Sequence, residues 1–171
     1  GRIGVIATAN TVRSGAYSRA IKGMRPAAHV VEQACPMLVP MVERGEISGP
    51  DVRHVLSEYI QPLLEAEVDT IVYGCTHYPF LEAEVRAMAG SSVALVDPAT
   101  KVASAVKAAI GEGGSGQAGL LSFVTSGDPN AFAELVSTLM GWSVHEVEHV
   151  DLDAAGAPPE EGGMLGRRDR A

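Results

Sequence analysis

The chain has 171 residues and a net charge of −8, and 46% of its residues are apolar although only 5% are aromatic. No apolar run reaches the roughly 20 residues that a membrane-spanning helix needs, and no charged start followed by an apolar stretch predicts a signal peptide. Basic residues are scattered except near the end of the chain, so the composition argues against nucleic-acid and membrane partners. Two cysteines are too few for a disulfide scaffold and predict free thiols in a reducing cytoplasm.

In the first hundred residues, short β-rich runs alternate with amphipathic helical patterns. The predicted strands cover residues 3–8, 29–33, 69–73 and 93–96. The predicted helices cover residues 14–22, 52–67, 79–88 and 99–110. Pro62 should kink or split the second of these helices. The alternation predicts βαβ units and an α/β fold of three layers (αβα) around a largely parallel sheet.

The later residues are predicted to form a connector, one further unit and a tail. Residues 111–119 are rich in Gly and predict a flexible connector. A strand at 120–125, a helix at 130–140 and an extended piece at 144–150 form the further unit. Residues 151–171 contain mostly Ala, Gly, Pro and charged residues, which predict a disordered tail.

The residues that point most directly to chemistry lie at the end of the third predicted strand. Cys75 comes where this apolar strand ends and the next helix begins, and ligands of open α/β sheets bind beyond the carboxyl ends of strands. We expect Thr76 to cap that helix and Pro79 to lie in its first turn. The unpaired N–H groups and the dipole of a helix N-terminus favour a thiolate and also bind a carboxylate. Because His77 can exchange a proton near neutral pH, the pattern predicts a reactive thiol beside a proton carrier.

Other interpretations of the same residues stay open at this point. A cysteine at a strand end is often simply buried in the core, and the Cys-x-His spacing alone is unspecific. A zinc site would need three or four ligands, and the remaining histidines do not cluster with His77, so we expect no metal. A thiol hydrolase would need a residue that orients His77 and an oxyanion partner, and the sequence reveals neither.

The sequence Gly-Cys-Thr-His-Tyr-Pro at residues 74–79 resembles the surroundings of the second catalytic cysteine in glutamate racemases, which belong to the aspartate/glutamate racemase superfamily. Shorter stretches that resemble the family occur in the family's order, at residues 14–17, 34–36, 39–43, 69–70 and 125–128. The resemblance extends from about residue 3 to about residue 150. It implies an isomerase that needs no cofactor and interconverts L- and D-glutamate. Such an enzyme supplies D-glutamate for peptidoglycan synthesis, and thereby for cell-wall biogenesis and cell shape.

The resemblance also implies roles for individual residues. Cys75 would be one of two thiols that face opposite sides of the substrate α-carbon, with His77 assisting it and Thr76 binding the substrate. The carbanion that forms when the α-proton leaves must be stabilised by electrostatics and by exclusion of water. Glu43 matches a residue with a supporting role near the site, although a solvated carboxylate at a helix end is an equal alternative.

Two threonines after the first strand are further candidates by the same resemblance. Thr8 and Thr11 match a Thr-x-x-Thr sequence that contacts substrate in relatives, and Ala7 replaces a glycine that is common there. Threonines at a strand-to-helix turn are also ordinary helix caps. Cys35 matches no catalytic cysteine of the family, and both Cys35 and Tyr78 are expected to be structural.

The racemase family has two similar α/β domains, and each supplies one catalytic cysteine to the cleft between them. Residues 1–97 resemble the second domain, and residues 98–150 resemble the segment that completes the first. The Asp-Ser and Cys-Asn-Thr sequences of the first domain do not occur here, so we expect the chain to be a C-terminal portion that cannot racemise by itself. A racemase of aspartate or of another amino acid, or a binding module without catalysis, is the alternative. Assembly as a homodimer stays open.

Overall fold

The computed structural model describes residues 1–111 and 121–152. Its main sheet has four parallel strands in the order β2–β1–β3–β4. These strands are β1 (Arg2–Ala7), β2 (His29–Ala34), β3 (Thr70–Gly74) and β4 (Ala94–Val96). Val and Ile are frequent in them, and β-branched side chains pack well on a pleated surface. The prediction of an α/β fold with a largely parallel sheet is confirmed.

Seven α-helices and one short 3₁₀ helix are present in the described part of the chain. They are α1 (Ala9–Ser14), α2 (Ala16–Met24), α3 (Leu38–Glu43), α4 (Pro50–Glu65), the 3₁₀ helix (Tyr78–Leu81), α5 (Glu82–Ala89), α6 (Ala99–Ile110) and α7 (Pro129–Met140). In place of the single helix predicted at 14–22 there are two, because Gly15 has a φ of 60° that ends α1 and precedes α2. Helix α3 is an addition to the predicted elements. Pro62 lies in the last turn of α4 and does not end that helix.

Helices cover both faces of the main sheet. Gly4 and Ala7 lie three residues apart on β1 and therefore face opposite sides, and Gly74 of β3 is paired with Ala7. A methyl group on Gly4 would lie 3.1 Å from Leu63 of α4, whereas one on Gly74 would lie 3.2 Å from the ring of Tyr17 on α2. Helices α2 and α4 thus lie on opposite faces, as a three-layer arrangement requires.

The main core lies between the sheet and helices α3, α4 and α5. Its completely buried side chains include Leu38, Val42, Leu56, Ile60 and Ile71. Each large apolar side chain of this kind contributes about 1.5–3 kcal/mol through removal from water. Among the described residues, every buried apolar side chain lies between residues 5 and 93.

A smaller unit follows the main sheet. Its strands β5 (Val124–Thr125) and β6 (Glu148–His149) pair in parallel, and α7 connects them. The strand predicted at 120–125 and the extended piece predicted at 144–150 thus contain only two paired residues each. A strand is stabilised by its neighbours, and this sheet of two short strands offers little such support.

Parts of three sequence predictions lie outside the described residues. The connector predicted at 111–119 is described only at Gly111, and the tail predicted at 151–171 only at its first two residues. Leu120, where the strand predicted at 120–125 would begin, also lies outside them. The flexible connector and the disordered tail therefore stay predictions.

Candidate active site

The two central strands of the main sheet end side by side, and the chain leaves them towards opposite faces. After β1 it enters α1 and α2, whereas after β3 it enters the 3₁₀ helix and α5, which packs beside α4. At such a switch point a crevice opens beyond the strand ends, where ligands of open α/β sheets bind. Thr8 and Cys75 are the first residues beyond these two strands. The strand order therefore brings two of the predicted site residues to one crevice.

A cavity of about 420 Å³ lies at this crevice. Cys75 and Thr76 line it together with Tyr17 of α2 and the first turn of α6. A methyl group on Gly74 would lie 2.8 Å from the Cβ atom of Ala7, so only glycine lets the backbones of β1 and β3 end this closely together. The cavity is large enough for a small ligand. The contributions of Tyr17 and α6 were missed at the sequence level, because no local pattern marks residues that meet only in the fold.

Three predicted catalytic residues form a continuous chain of contacts. Cys75 Sγ lies 3.8 Å from His77 Nδ1, and His77 Nε2 lies 3.3 Å from Glu43 Oε1. Glu43 is the last residue of α3 and His77 directly precedes the 3₁₀ helix, so the contact joins two elements. When the Nε2–H group donates a hydrogen bond to the carboxylate, Nδ1 is free to accept the proton of the thiol. The arrangement can therefore transfer a proton between thiol and imidazole.

Two details of this corner differ from the expectation. The 3₁₀ helix begins at Tyr78 with His77 at the capping position and no side-chain capping bond, so Thr76 does not cap it and is instead exposed beside Cys75. The sequence also revealed no residue that orients His77, whereas in the structure Glu43 contacts its second ring nitrogen.

Thr8 and Thr11 are hydrogen-bonded to each other at the start of α1. Thr8 is the N-cap of this helix, and its Oγ1 atom accepts a hydrogen bond of 3.4 Å from the backbone N–H of Thr11. The two hydroxyl oxygens are 3.0 Å apart. Thr8 therefore has the capping role that the sequence left as an alternative, and a contact of either threonine with substrate stays a prediction.

The second cysteine, Cys35, follows β2 and is separated from Cys75 by β1. Its side chain is completely buried, and this burial raises the pKa of its thiol to about 12. The thiol donates a hydrogen bond of 3.5 Å to the carbonyl oxygen of Gln33. A thiol with such a pKa is not ionised at neutral pH and does not act as a nucleophile or base there. Cys75, which is only half-buried, is the accessible thiol of the two.

Two kinds of feature are absent from residues 1–111 and 121–152. No group of three or more His, Cys, Asp or Glu side chains is arranged to hold a metal ion there. No helix in these ranges is long and apolar enough to cross a membrane.

Residues 1–107 match the protein family described as Asp/Glu/Hydantoin racemase. The chain belongs to this racemase family. Similar racemases include the glutamate racemase of Gloeobacter violaceus, which is 46% identical over 134 residues, or 78% of this chain and 51% of that protein. The glutamate racemase of Symbiobacterium thermophilum is 40% identical over 157 residues, or 89% of this chain and 56% of that protein. The chain spans about half the length of the curated racemases that it matches.

Solved racemase structures share the fold. A glutamate racemase isoform from Bacillus anthracis superposes with a TM-score of 0.79 at 28% identity, covering 88% of this chain and 57% of that one. The glutamate racemase of Francisella tularensis, solved with D-glutamate, superposes with a TM-score of 0.78 at 27% identity and covers 90% of this chain and 59% of that one.

Proposed function

We propose that this racemase-family chain supplies one of the two proton-transferring thiols of a glutamate racemase. The observation that carries the proposal is the contact chain from Cys75 through His77 to Glu43 at the switch point of the sheet. The names of the similar proteins favour glutamate as the substrate. A racemase of aspartate or of another amino acid is the alternative, and the relative turnover of the two amino acids distinguishes them.

In the proposed reaction, Cys75 as thiolate removes the substrate α-proton from one face, or as thiol delivers a proton to that face. A second thiol performs the complementary transfer on the opposite face, so the net result is inversion without a cofactor. His77, held by Glu43, takes the thiol proton and returns it. Thr76 binds the substrate beside the thiol, and Thr8 and Thr11 bind it from the end of β1. The exclusion of water and the local dipoles stabilise the intermediate carbanion.

The proposed reaction needs a second thiol from outside these 171 residues. The chain contains only two cysteines, and Cys35 is completely buried with a pKa raised to about 12. We therefore propose that residues 1–97 form one racemase domain, that residues 98–150 complete another, and that the chain does not interconvert the enantiomers by itself. We also propose a cytoplasmic location and a role in supplying D-glutamate for peptidoglycan, because the chemistry needs reduced thiols. A homodimer stays a prediction.

The sharpest test uses a fusion protein. In it, the segment of the Gloeobacter violaceus glutamate racemase that precedes the matched region is joined to the start of this chain. In deuterated water, we expect the fusion to interconvert the two glutamate enantiomers and to exchange their α-protons, as measured by NMR. Cys75→Ser in the fusion should abolish interconversion, whereas Cys35→Ala should retain it because the Cys35 side chain is completely buried. The chain alone should give no interconversion. A fusion that folds but gives no interconversion would favour the alternative of a binding module without catalysis.

Two results would contradict the proposal. A well-folded fusion that interconverts the enantiomers equally well with Cys75→Ser would remove Cys75 from the reaction. Interconversion by the unaltered chain alone would show that no second thiol from elsewhere is needed.

A further inference from the structure

Tyr78 makes a hydrogen bond that joins two separate elements of the site. Its side chain is completely buried, and its hydroxyl donates a hydrogen bond of 3.0 Å to the carbonyl oxygen of Cys35. The same oxygen accepts a hydrogen bond of 3.3 Å from the backbone N–H of Leu38, the first residue of α3. One carbonyl oxygen thus connects the loop after β3 to α3.

The same group is also fixed to the central strand. The backbone N–H of Cys35 donates a hydrogen bond of 2.9 Å to the carbonyl oxygen of Ala7, the last residue of β1. The acceptor of the Tyr78 hydroxyl therefore cannot move independently of the sheet. In the opposite direction, the backbone N–H of Tyr78 donates a hydrogen bond of 3.3 Å to the carbonyl oxygen of Cys75 and so closes the loop on itself.

The elements that meet at this oxygen carry the two ends of the contact between His77 and Glu43. That contact of 3.3 Å lies between partly exposed side chains, and exposed ion pairs hold geometry poorly because solvent screens them and side-chain entropy opposes them. A hydrogen bond in a dry, close-packed interior has no competing water. Tyr78 therefore supplies the rigid connection that the exposed pair lacks.

We propose that Tyr78 is a positioning residue: its hydroxyl holds His77 between Cys75 and Glu43 by tying the loop at residues 75–77 to α3. The catalytic importance of this role rests on the function proposed above. Tyr78 itself is buried and acts through His77, which is the residue that exchanges a proton with the thiol.

The test is alkylation of Cys75 by iodoacetamide in the whole chain, with the modified residue identified by peptide mass spectrometry. The thiolate displaces iodide from carbon, so the rate reports how readily the thiol gives up its proton. At about pH 9 a thiol ionises largely unaided, whereas at about pH 6.5 its reaction depends on a proton acceptor such as His77. The alkylation ratio is the rate at about pH 6.5 divided by the rate at about pH 9. We expect Tyr78→Phe to lower this ratio about three- to tenfold.

A double-mutant cycle separates positioning from general loosening of the fold. His77→Ala should lower the same ratio at least as much as Tyr78→Phe does. Because Tyr78 acts through His77, adding Tyr78→Phe to His77→Ala should change the ratio by less than about 1.5-fold. Additive effects of the two substitutions would overturn the proposal.

Tyr73→Phe is the matched control for the loss of a buried hydroxyl. Tyr73 is also buried, and its hydroxyl makes no hydrogen bond within the described part of the chain. We expect this control to keep the alkylation ratio of the unaltered chain. Tyr78→Phe should remain folded, as checked by circular dichroism, because the N–H of Leu38 still satisfies the Cys35 carbonyl.

A measurement on the unaltered chain does not depend on any variant. A buried hydroxyl that donates to a carbonyl should exchange slowly with solvent, so proton NMR should show a Tyr78 hydroxyl resonance. Complete fast exchange of this proton would overturn the proposal.

Alkylation needs no racemisation, so the two proposals can fail separately. An unchanged ratio in Tyr78→Phe with an active fusion protein removes only the positioning role. A changed ratio with an inactive fusion protein removes only the proposed reaction.

Discussion

Residues 1–97 and residues 121–152 are built on the same alternation of strands and helices, yet they differ in what they bury. In the first stretch, strands of up to six residues lie over a core of completely buried side chains. In the second, two strands of two residues each pair around α7, which has no buried residue. Leu121 in this part is 64% exposed.

Helix α6, between the two stretches, shows the difference most clearly. Val102, Val106 and Ile110 lie four residues apart and therefore on one face, and Val106 and Ile110 are 54% and 75% exposed. Exposed apolar faces of this kind are typical of surfaces that pack against another protein or another part of the same protein. Local patterning is therefore enough to form a helix, whereas burial depends on a surface to pack against. The proposal that residues 98–150 complete a second domain accounts for this uncovered face.

The largest expected effect is a contrast in stability between the two kinds of helix. Leu56→Ala on α4 removes a completely buried side chain and should lower the free energy of unfolding by about 2–5 kcal/mol. Val106→Ala on α6 should change it by less than about 0.5 kcal/mol, because the side chain is already exposed. Urea unfolding followed by circular dichroism measures both. Equal losses would show that α6 is packed as tightly as α4 and that the two regions do not differ in burial.

Much of the first region could be predicted because its signals are local. The β-branched run Ile71–Val72 marks β3, and the apolar spacing from Val52 to Leu64 marks α4. The division between α1 and α2 was missed, because it depends on the positive φ of Gly15 rather than on hydrophobic periodicity. Helix α3 was missed as well, since six residues are too short to show a helical period.

The same distinction applies to the candidate site. Cys75 and His77 are two residues apart, so their proximity could be predicted from the sequence alone. Glu43 was named only through a family resemblance, because its contact with His77 exists only after α3 packs beside the 3₁₀ helix. The hydrogen bond from Tyr78 to Cys35 could not be predicted, since its acceptor is a backbone carbonyl that has no sequence signature.

A second expected effect concerns the core of the first region and is a dependence of its stability on pH. Burial raises the pKa of Cys35 from its ordinary value of 9.0 to about 12. Below pH 9.0 both the folded and the unfolded chain keep this proton, so the contribution is fully present. Between pH 9.0 and about 12 only the unfolded chain loses the proton, so the free energy of unfolding falls by up to about 1.4 kcal/mol per pH unit. Urea titrations should show a shallower decline in Cys35→Ala. Parallel declines would mean that Cys35 ionises without unfolding.

The smallest expected effect concerns the contact between the two regions. Leu139 of α7 is partly buried against the main core, and a methyl group on Gly45 after α3 would lie 3.1 Å from Thr138. Leu139→Ala should weaken this docking by about 1 kcal/mol, less than a fully buried leucine would cost. The chain has a single tryptophan, Trp142, two residues after the end of α7, so its fluorescence reports on the second region.

Urea unfolding of Leu139→Ala should therefore shift the Trp142 transition to lower urea. The free energy of the transition that exposes the Cys35 thiol should stay within about 0.5 kcal/mol of the unaltered chain, as measured by labelling with a thiol reagent and identifying the modified Cys35 peptide by mass spectrometry. Met140→Ala, at an exposed neighbouring position, is the matched control and should shift neither. If the two probes instead move together, the regions unfold as one cooperative unit. In that case the sparse packing of residues 121–152 would not be enough to make them independent of the core.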